Sequence, residues 1–500
     1  MDKRVVVFLL LSLAIIFGYE FILKEMGLLP EAPPVESAKG EATDSAQPPA
    51  VASPGSDGSA QGASVSASSG ISSDTVAGDA SASEQVVEIE TGLYRAKMST
   101  RGAVLTSWEL ARYQVSTTDH SPVQLVRQGA KFTGPLAIVT GDPSLSKKIA
   151  DGLYTVERDF TTLDATHPDG HLTFRYRDEA GQVSVEKRLT FHANSYVVDI
   201  QLTTSGIDGS TDVGLGTNFG IVEWTEGMIG QIGSALLVDG KVEKEVPETE
   251  LERSGNVQWL ALQDKYFLSV LIPKQTGSVR VKKEGDKLLS ASLSLPATVS
   301  GSTVSLQLYA GPKEYDTLQA LRLGLEDTID FGWFIFGSWG VVKAIAKPIF
   351  YVLRFMNEYT HNFGVTIILL TMALKVLFVP LQFKSYKSMK QMQVIQPKVL
   401  ALQEKYKDDR DRLNKELIKL YRDHKVNPVG GCLPMILQMP VFVALFNILY
   451  MTIDLRQAPF IAWITDLSIQ DPYYVLPIIM GVTMVVQQKI TPTTMDPTQA

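Results

Sequence analysis

A multidomain membrane protein, with a large all-β domain on one side of the bilayer and an α-helical membrane core, is the fold class this sequence predicts. Three observations predict it. Apolar residues gather into runs at 5–19, 361–382, 433–453 and 472–489, and such clustering is what marks membrane spans. Short alternating runs separated by Gly and Asn/Asp turns fill 85–315, the signature of many short strands. Charge is also segregated: residues 331–500 hold 18 Lys and Arg against 11 Asp and Glu, while the whole chain holds 46 against 54. An acidic front and a basic rear fit a chain whose halves lie on opposite sides of a membrane. Cys432 is the single cysteine, so an internal disulfide framework and a cysteine metal site are excluded.

The elements follow in order. Lys3 and Arg4 precede the apolar run Val5–Tyr19, and no small-x-small cleavage site follows. Residues 1–27 therefore read as an uncleaved transmembrane anchor with a cytoplasmic N-terminus, against the competing reading of a cleaved signal peptide. Residues 28–84 are Ala, Ser, Gly and Pro with scattered acids and no aromatic residue after Pro30. Such a stretch cannot bury enough apolar surface to offset its ordering entropy and reads as a disordered linker. Residues 85–329 form the β domain, with alternation clearest in Ser184–Phe191, Ser195–Leu202 and Val304–Tyr309. This density of strands favours a sandwich over βαβ units. A short helix over Thr317–Ile329 closes it. His120, His167, His171 and His192 fall here. His167 and His171 flank Pro168-Asp169-Gly170, which predicts a turn and argues against a metal-binding helix. No catalytic motif or metal site is expected.

Residues 330–358 read as an amphipathic helix along the interface, with Lys343, Lys347 and Arg354 on one face. Were 331–353 to span instead, the basic stretch that follows would face outward, against the positive-inside rule. The next span, 359–382, holds Lys375 within an otherwise apolar run, Val365–Leu381. A Lys at the centre of a membrane helix costs roughly 2.5–3.5 kcal/mol. The apolar segments 433–453 and 473–488 contain no Asp or Glu to pair with it. It either snorkels or faces a wet, protein-lined cavity. Thr371 and Gln382 share its helical face.

Residues 383–426 carry 12 Lys and Arg against 6 Asp and Glu between 384 and 425, with apolar residues at helical spacing on both sides of Asp408-Asp409. This predicts a cytoplasmic helical hairpin. Residues 427–490 supply two further spans joined by an outer segment, Asp454–Asp471, and 491–500 a cytoplasmic tail. In the third span Met435, Gln438, Met439, Phe442 and Phe446 form one stripe, with Pro434 and Pro440 as distortions. Met480, Met484 and Gln487 share a face of the fourth. Methionine suits surfaces that accept varied apolar partners, though ordinary helix packing explains the spacing equally well.

Gln396-Pro397, Asn427-Pro-Val-Gly-Gly-Cys-Leu-Pro434 with Gln438-Met-Pro440, Leu455–Phe460, Asp471-Pro-Tyr-Tyr474, Pro477 and Gly481–Met484 together resemble the YidC family of membrane protein insertases. The likeness is close over 320–500 and looser over the anchor, linker and β domain. It implies an α-helical transmembrane insertase core with a cytoplasmic helical hairpin and a periplasmic all-β super-sandwich, set in a bacterial inner membrane. It implies insertion and folding of nascent membrane proteins, alone or beside the Sec translocon, without cofactor or enzymatic chemistry. By position, Lys375 matches the family's groove charge and Thr371 its polar neighbour. Gln438, Met439 and Pro440 match the substrate-facing part of the third span, and Met484 lies on the corresponding face of the fourth. The hairpin matches the element that meets the ribosome and targeting receptor, and the spans meet the lipid bilayer.

Two departures stand out. The family charge is most often Arg, and Lys375 lacks its bidentate geometry. The family also implies two more spans after 491–500, so a chain lacking two groove walls is expected. Two other classes remain open: an anion transporter, which should show inverted repeats, and an anchored periplasmic carbohydrate-binding protein, which should show converging acids or histidines in 85–315.

Overall fold

The computed structural model describes residues 83–129, 132–224, 232–331, 333–334, 337–338, 340–407, 409–424, 426 and 433–490. The expected anchor, nearly all of the linker, Cys432 with the glycines before it, and the tail lie outside the described residues.

Alternation of apolar and polar side chains dictates the first half. Leu288–Ala297 buries every second residue almost without exception, and Asp169–Arg177 and Ser184–His192 do so over most of their length, because successive side chains in a strand point to opposite faces. The largest sheet has nine antiparallel strands. Its spatial order is Lys241–Glu245, Gly233–Val238, Val257–Gln263, Phe267–Pro273, Ser302–Pro312, Val197–Ser205, Ser184–His192, Asp169–Arg177 and Thr155–Arg158. A five-stranded sheet, ordered Glu250–Gly255, Gly277–Gly285, Leu288–Ala297, Gly209–Thr217 and Ile138–Thr140, packs on its central strands. A four-stranded sheet runs from Val86–Glu90 through Tyr94–Ser99 and Val104–Gln114 to Pro122–Gln124.

Val257–Gln263 and Phe267–Pro273 break the alternation and are buried almost throughout. Both faces are covered. Trp259 donates from Nε1 to the Leu323 carbonyl at 3.0 Å on one flank, and Tyr113 packs edge-on against Phe267. Pro168-Asp169-Gly170 does not form the expected turn: the strand already begins at Asp169. His167 accordingly sits beside Asp164, while His171 bonds Thr190 across the strand pair at 3.0 Å. Among the described residues no group of His, Cys, Asp or Glu is arranged to hold a metal ion.

The domain also contains α1, Pro143–Asp151, whose first turn is capped by the Asp142 carboxylate accepting from the Ser144 amide at 2.8 Å. The helix expected at 317–329 is shorter, Tyr315–Ala320 (α2), followed by a 3-10 turn at Leu325–Thr328.

The helical half comprises α3 (Gly340–Thr360), α4 (Phe363–Lys405), α5 (Arg410–Asp423), α6 (Leu433–Met451) and α7 (Val475–Ile490). Helix α3 has three faces. Val342, Ala346, Ile349, Phe350 and Leu353 are buried, while Val341, Val352, Phe355 and Tyr359 are exposed. Its cations turn toward the acids at the end of the β domain: Lys343 Nζ lies 2.9 Å from Asp327 and Arg354 2.6 Å from Asp316. An exposed apolar stripe opposite a protein-packed one suits a helix at the edge of a bilayer.

His361, in the left-handed region (φ 49°), makes the elbow between α3 and α4. Asn362 then caps α4, its Oδ1 accepting from the Val365 amide at 3.2 Å and its Nδ2 donating to the Phe460 carbonyl at 3.0 Å. Gly364 allows this closeness, since a Cβ there would stand 2.1 Å from the Phe460 ring.

Helices α4 and α6 are each long and apolar enough to cross a membrane, whereas α7, at 16 residues, is a shorter apolar helix. Their surface residues are unlike those of a soluble bundle. Met372, Val376, Leu377, Ile436 and Leu437 are all more than half exposed, apolar surface that water would penalise and lipid would not.

The two halves are joined by direct contacts. Arg456, just beyond α6, donates to the Val115 carbonyl at 2.9 Å and lies over the rings of Phe267 and Tyr266. Gln457 donates to the Gln114 carbonyl at 2.8 Å. Lys265 of the β domain rests 3.7 Å from the centre of the Tyr450 ring, and burial pushes its ammonium down to about 8. Asp454 lies at the same junction; burial raises its carboxyl, and Glu314 and Asp316 add to this against the pull of Arg354.

Candidate functional site

Lys375 opens into a cavity of about 630 Å³ walled by α4, α6 and α7, within the size range of ligand-binding clefts. From α4 come Lys375, Gln382, Ser385, Tyr386 and Met389. The helix sets that selection. Offsets of 7, 11 and 14 residues place Gln382, Tyr386 and Met389 each within about 40° of Lys375 on the helical face. The α6 wall is Pro434, Met435, Gln438, Met439 and Phe442, and α7 contributes Gln487.

Its electrostatics are simple. The lining holds one ammonium, three side-chain amides, a phenol and a hydroxyl, set among methionine, proline and phenylalanine. Among the described residues no carboxylate lines it, and none of their ion pairs involves Lys375. The amides can both donate and accept hydrogen bonds, and the methionines are flexible apolar surface. A lining of this kind can hold water and polar chain while offering one positive charge.

Of the residues expected from the sequence, the cavity gathers Lys375, Gln438 and Met439. Thr371, Pro440 and Met484 do not line it. The Thr371 hydroxyl donates to the Ile367 carbonyl at 2.7 Å, one turn back in its own helix. Pro440 lies within α6, and Met484 is exposed on α7.

Ser385, Tyr386 and Met389 were not among the expected groove residues. The signal was present: they continue the face of Lys375 and Gln382. An expected membrane exit at 383 hid it, because α4 runs without interruption for 43 residues to Lys405. Beyond the turn at Tyr406, Asp409 caps α5, its carboxylate accepting from the Arg412 amide at 3.0 Å.

A polar cluster in the β domain also lies apart from any expected site. His192 stands between Asp169 and Asp199, with Nδ1 2.5 Å from the former and Nε2 3.0 Å from the latter. Asp199 further accepts from Gln307 at 2.9 Å and faces Lys274 at 3.5 Å. Burial works against a charged His192, but the hydrogen bonds of Asp199 and Asp169 outweigh it and raise the imidazole above its ordinary value. Each member is partnered along one row of adjacent strands, so the cluster reads as a cross-strand clamp.

Comparison with known proteins agrees with this division. Residues 86–352 match the family model described as the YidC periplasmic domain, and 355–500 match the 60Kd inner membrane protein model. The chain is 37% identical over 515 residues to the membrane protein insertase YidC of Syntrophus aciditrophicus, with 100% of this chain and 92% of the relative covered. It is 35% identical over 527 residues to that of Geotalea daltonii and 36% identical over 520 residues to that of Geobacter metallireducens. Among solved structures, a putative aldose 1-epimerase from Escherichia coli K12 aligns over 46% of the chain with a TM-score of 0.30 and 8% identity, a likeness too weak to carry any argument. Two family models covering nearly all of 86–500, and curated relatives matched along their length, give one conclusion: the chain belongs to the YidC family of membrane protein insertases.

Proposed function

We propose that the cavity between α4, α6 and α7 is the groove through which this insertase receives the polar tail of a nascent membrane protein, with Lys375 as its electrostatic receptor. The observation that carries this reading is the uncompensated ammonium among three glutamines, in a chamber whose outer surface is apolar. Moving a tail carboxylate into hydrocarbon is costly. Meeting a hydrated Lys375 in a chamber of side-chain amides reduces that cost, and the apolar faces of α4 and α6 offer the following segment a route into lipid. Gln438 and Met439 line the path. Thr371, Pro440 and Met484 lie outside the cavity wall and are assigned supporting roles in shaping the helices around it.

On this reading the N-terminus and the basic segment 383–426 are cytoplasmic, and the latter is a hairpin that receives the ribosome and targeting receptor. The β domain is a periplasmic super-sandwich, and the chain acts either alone or beside the Sec translocon. The charge balance of 384–425 supports that orientation, and α4 runs from the groove directly into that segment.

The test is to place a photo-crosslinker at 375, 438 and 439 and capture stalled nascent chains with acidic tails. Crosslinks from these positions, competed by acidic-tailed but not neutral-tailed chains, are expected. Equal capture from lipid-facing Leu377 and Ile436 would overturn the assignment.

A further inference from the structure

The cavity has a length as well as a charge, and the two together define a spacing. Along α4, Lys375 marks one end of the wall and Met389 the other, with Gln382 and Tyr386 between them. Fourteen helical residues rise about 21 Å. A peptide in extended conformation covers about 3.3–3.6 Å per residue, so about six residues span the wall. The chemistry changes along the same line. At one end stands the ammonium. The middle carries amide and phenol groups from Gln382 and Tyr386, joined by Gln487 from α7, which can bond the backbone of an extended chain. At the other end Met389 offers flexible apolar surface, within the basic stretch 384–425.

Resting on the assignment of Lys375 as the tail receptor, we propose that this cavity sets a register for its substrate: it selects nascent chains in which an acidic residue precedes the apolar segment by about five to seven residues. With the carboxylate on Lys375, the intervening polar residues lie extended past Gln382, Tyr386 and Gln487, and the first apolar residues reach Met389. A shorter spacing drags apolar residues into the amide-lined middle. A longer one leaves a loop of unbound chain, or forces the carboxylate to stop short of the ammonium.

The experiment uses the full-length protein in proteoliposomes and single-span substrates with constant tail length. Each carries one Glu in an otherwise neutral tail, at one to twelve residues before the apolar segment. Insertion is expected to peak at about five to seven residues and to fall at least about threefold at both extremes. A second variant moves the charge: Lys375→Leu with Gln382→Lys carries the cation about 10.5 Å toward Met389, so the optimum should shorten by about three residues. A flat response to spacing, with dependence on the tail charge retained, overturns the register and leaves the receptor assignment standing. Insertion indifferent to whether the tail carries Glu at all overturns the receptor assignment itself. A peak that does not move in the double variant also overturns the register, because the spacing would then be set elsewhere.

Discussion

Two lysines, one in each half of the molecule, show how differently the halves treat a charge removed from bulk water. Lys187 is buried in the β domain, and its ammonium donates to the carbonyls of Ala103 and Leu136 at 2.7 Å and of Gly102 at 3.4 Å. Burial pushes it down to about 7, but the three carbonyls satisfy its donors, so the side chain pins two chain segments to the sheet. Lys375 sits in the helical half with room around it and no carboxylate in its cavity. The first lysine is completed by its own fold. The second faces the chamber in which we propose that a substrate carboxylate meets it. A buried polar group whose partners are all internal holds structure together, and one left facing a chamber is a place for a ligand.

The contrast can be broken at its structural end first. Replacing Lys187 with Met keeps most of the stem and removes the donors, leaving the two closely bonded carbonyls, Ala103 and Leu136, unpaired; a loss of about 2–6 kcal/mol is expected at roughly 1–3 kcal/mol per unsatisfied group. Thermal unfolding of the purified protein in detergent measures it, and insertion at permissive temperature should survive. An unchanged melting temperature would mean that Lys187 does not pin those segments.

The outer segment 452–471, which meets both halves, comes next. Gly364→Val drives a side chain into Phe460, and overpacking of this kind costs about 1–3 kcal/mol. Hydrogen exchange should rise in 452–471 in particular. Arg456→Ala removes one hydrogen bond and two ring contacts, with a smaller expected loss of about 1–2 kcal/mol, read as faster proteolysis of the same segment. Equal protection of 452–471 in both variants and the parent protein would show that the outer segment is held by other contacts.

The smallest effect concerns pH. His192 has a raised pKa, so its contribution is complete below the ordinary histidine value of about 6.5 and disappears as pH rises through the higher folded value. His192→Gln should therefore lower the melting temperature by a few degrees at pH 5.5 and much less at pH 8.5. A deficit that grows with pH would contradict the clamp.

Much of this architecture was legible in the sequence, for identifiable reasons. The strands announced themselves because a period of two survives wherever one face is buried, as in Ser184–His192 and Leu288–Ala297. Val257–Gln263 is covered on both faces and showed no such alternation. Helix α1 is hard to read from the sequence although Asp142-Pro143 is a strong start signal, because nine residues among strands offer little periodicity. Lys375 stood out through cost alone, and Gln438 and Met439 through their stripe. On α4 the wall beyond Gln382 was hidden by a boundary at 383 that rests on charge. Charge reports where the membrane ends, but the helix has no reason to end there, and Ser385, Tyr386 and Met389 lie on its continuation. Thr371 shares the face of Lys375 by spacing, yet lies one turn beyond the cavity, a limit set by the packing of α6 and α7 that one helix cannot reveal.

The claim that Lys375 is left open for a substrate carboxylate is tested most directly by exchanging charges. Insertion of one single-span substrate, carrying either Glu or Lys in its tail, is measured in proteoliposomes with the parent protein, Lys375→Arg and Lys375→Glu. The account predicts that the parent and Lys375→Arg favour the Glu tail by about tenfold, or about 1.4 kcal/mol, and that Lys375→Glu loses or reverses this preference. The same preference for the Glu tail in all three proteins would contradict it.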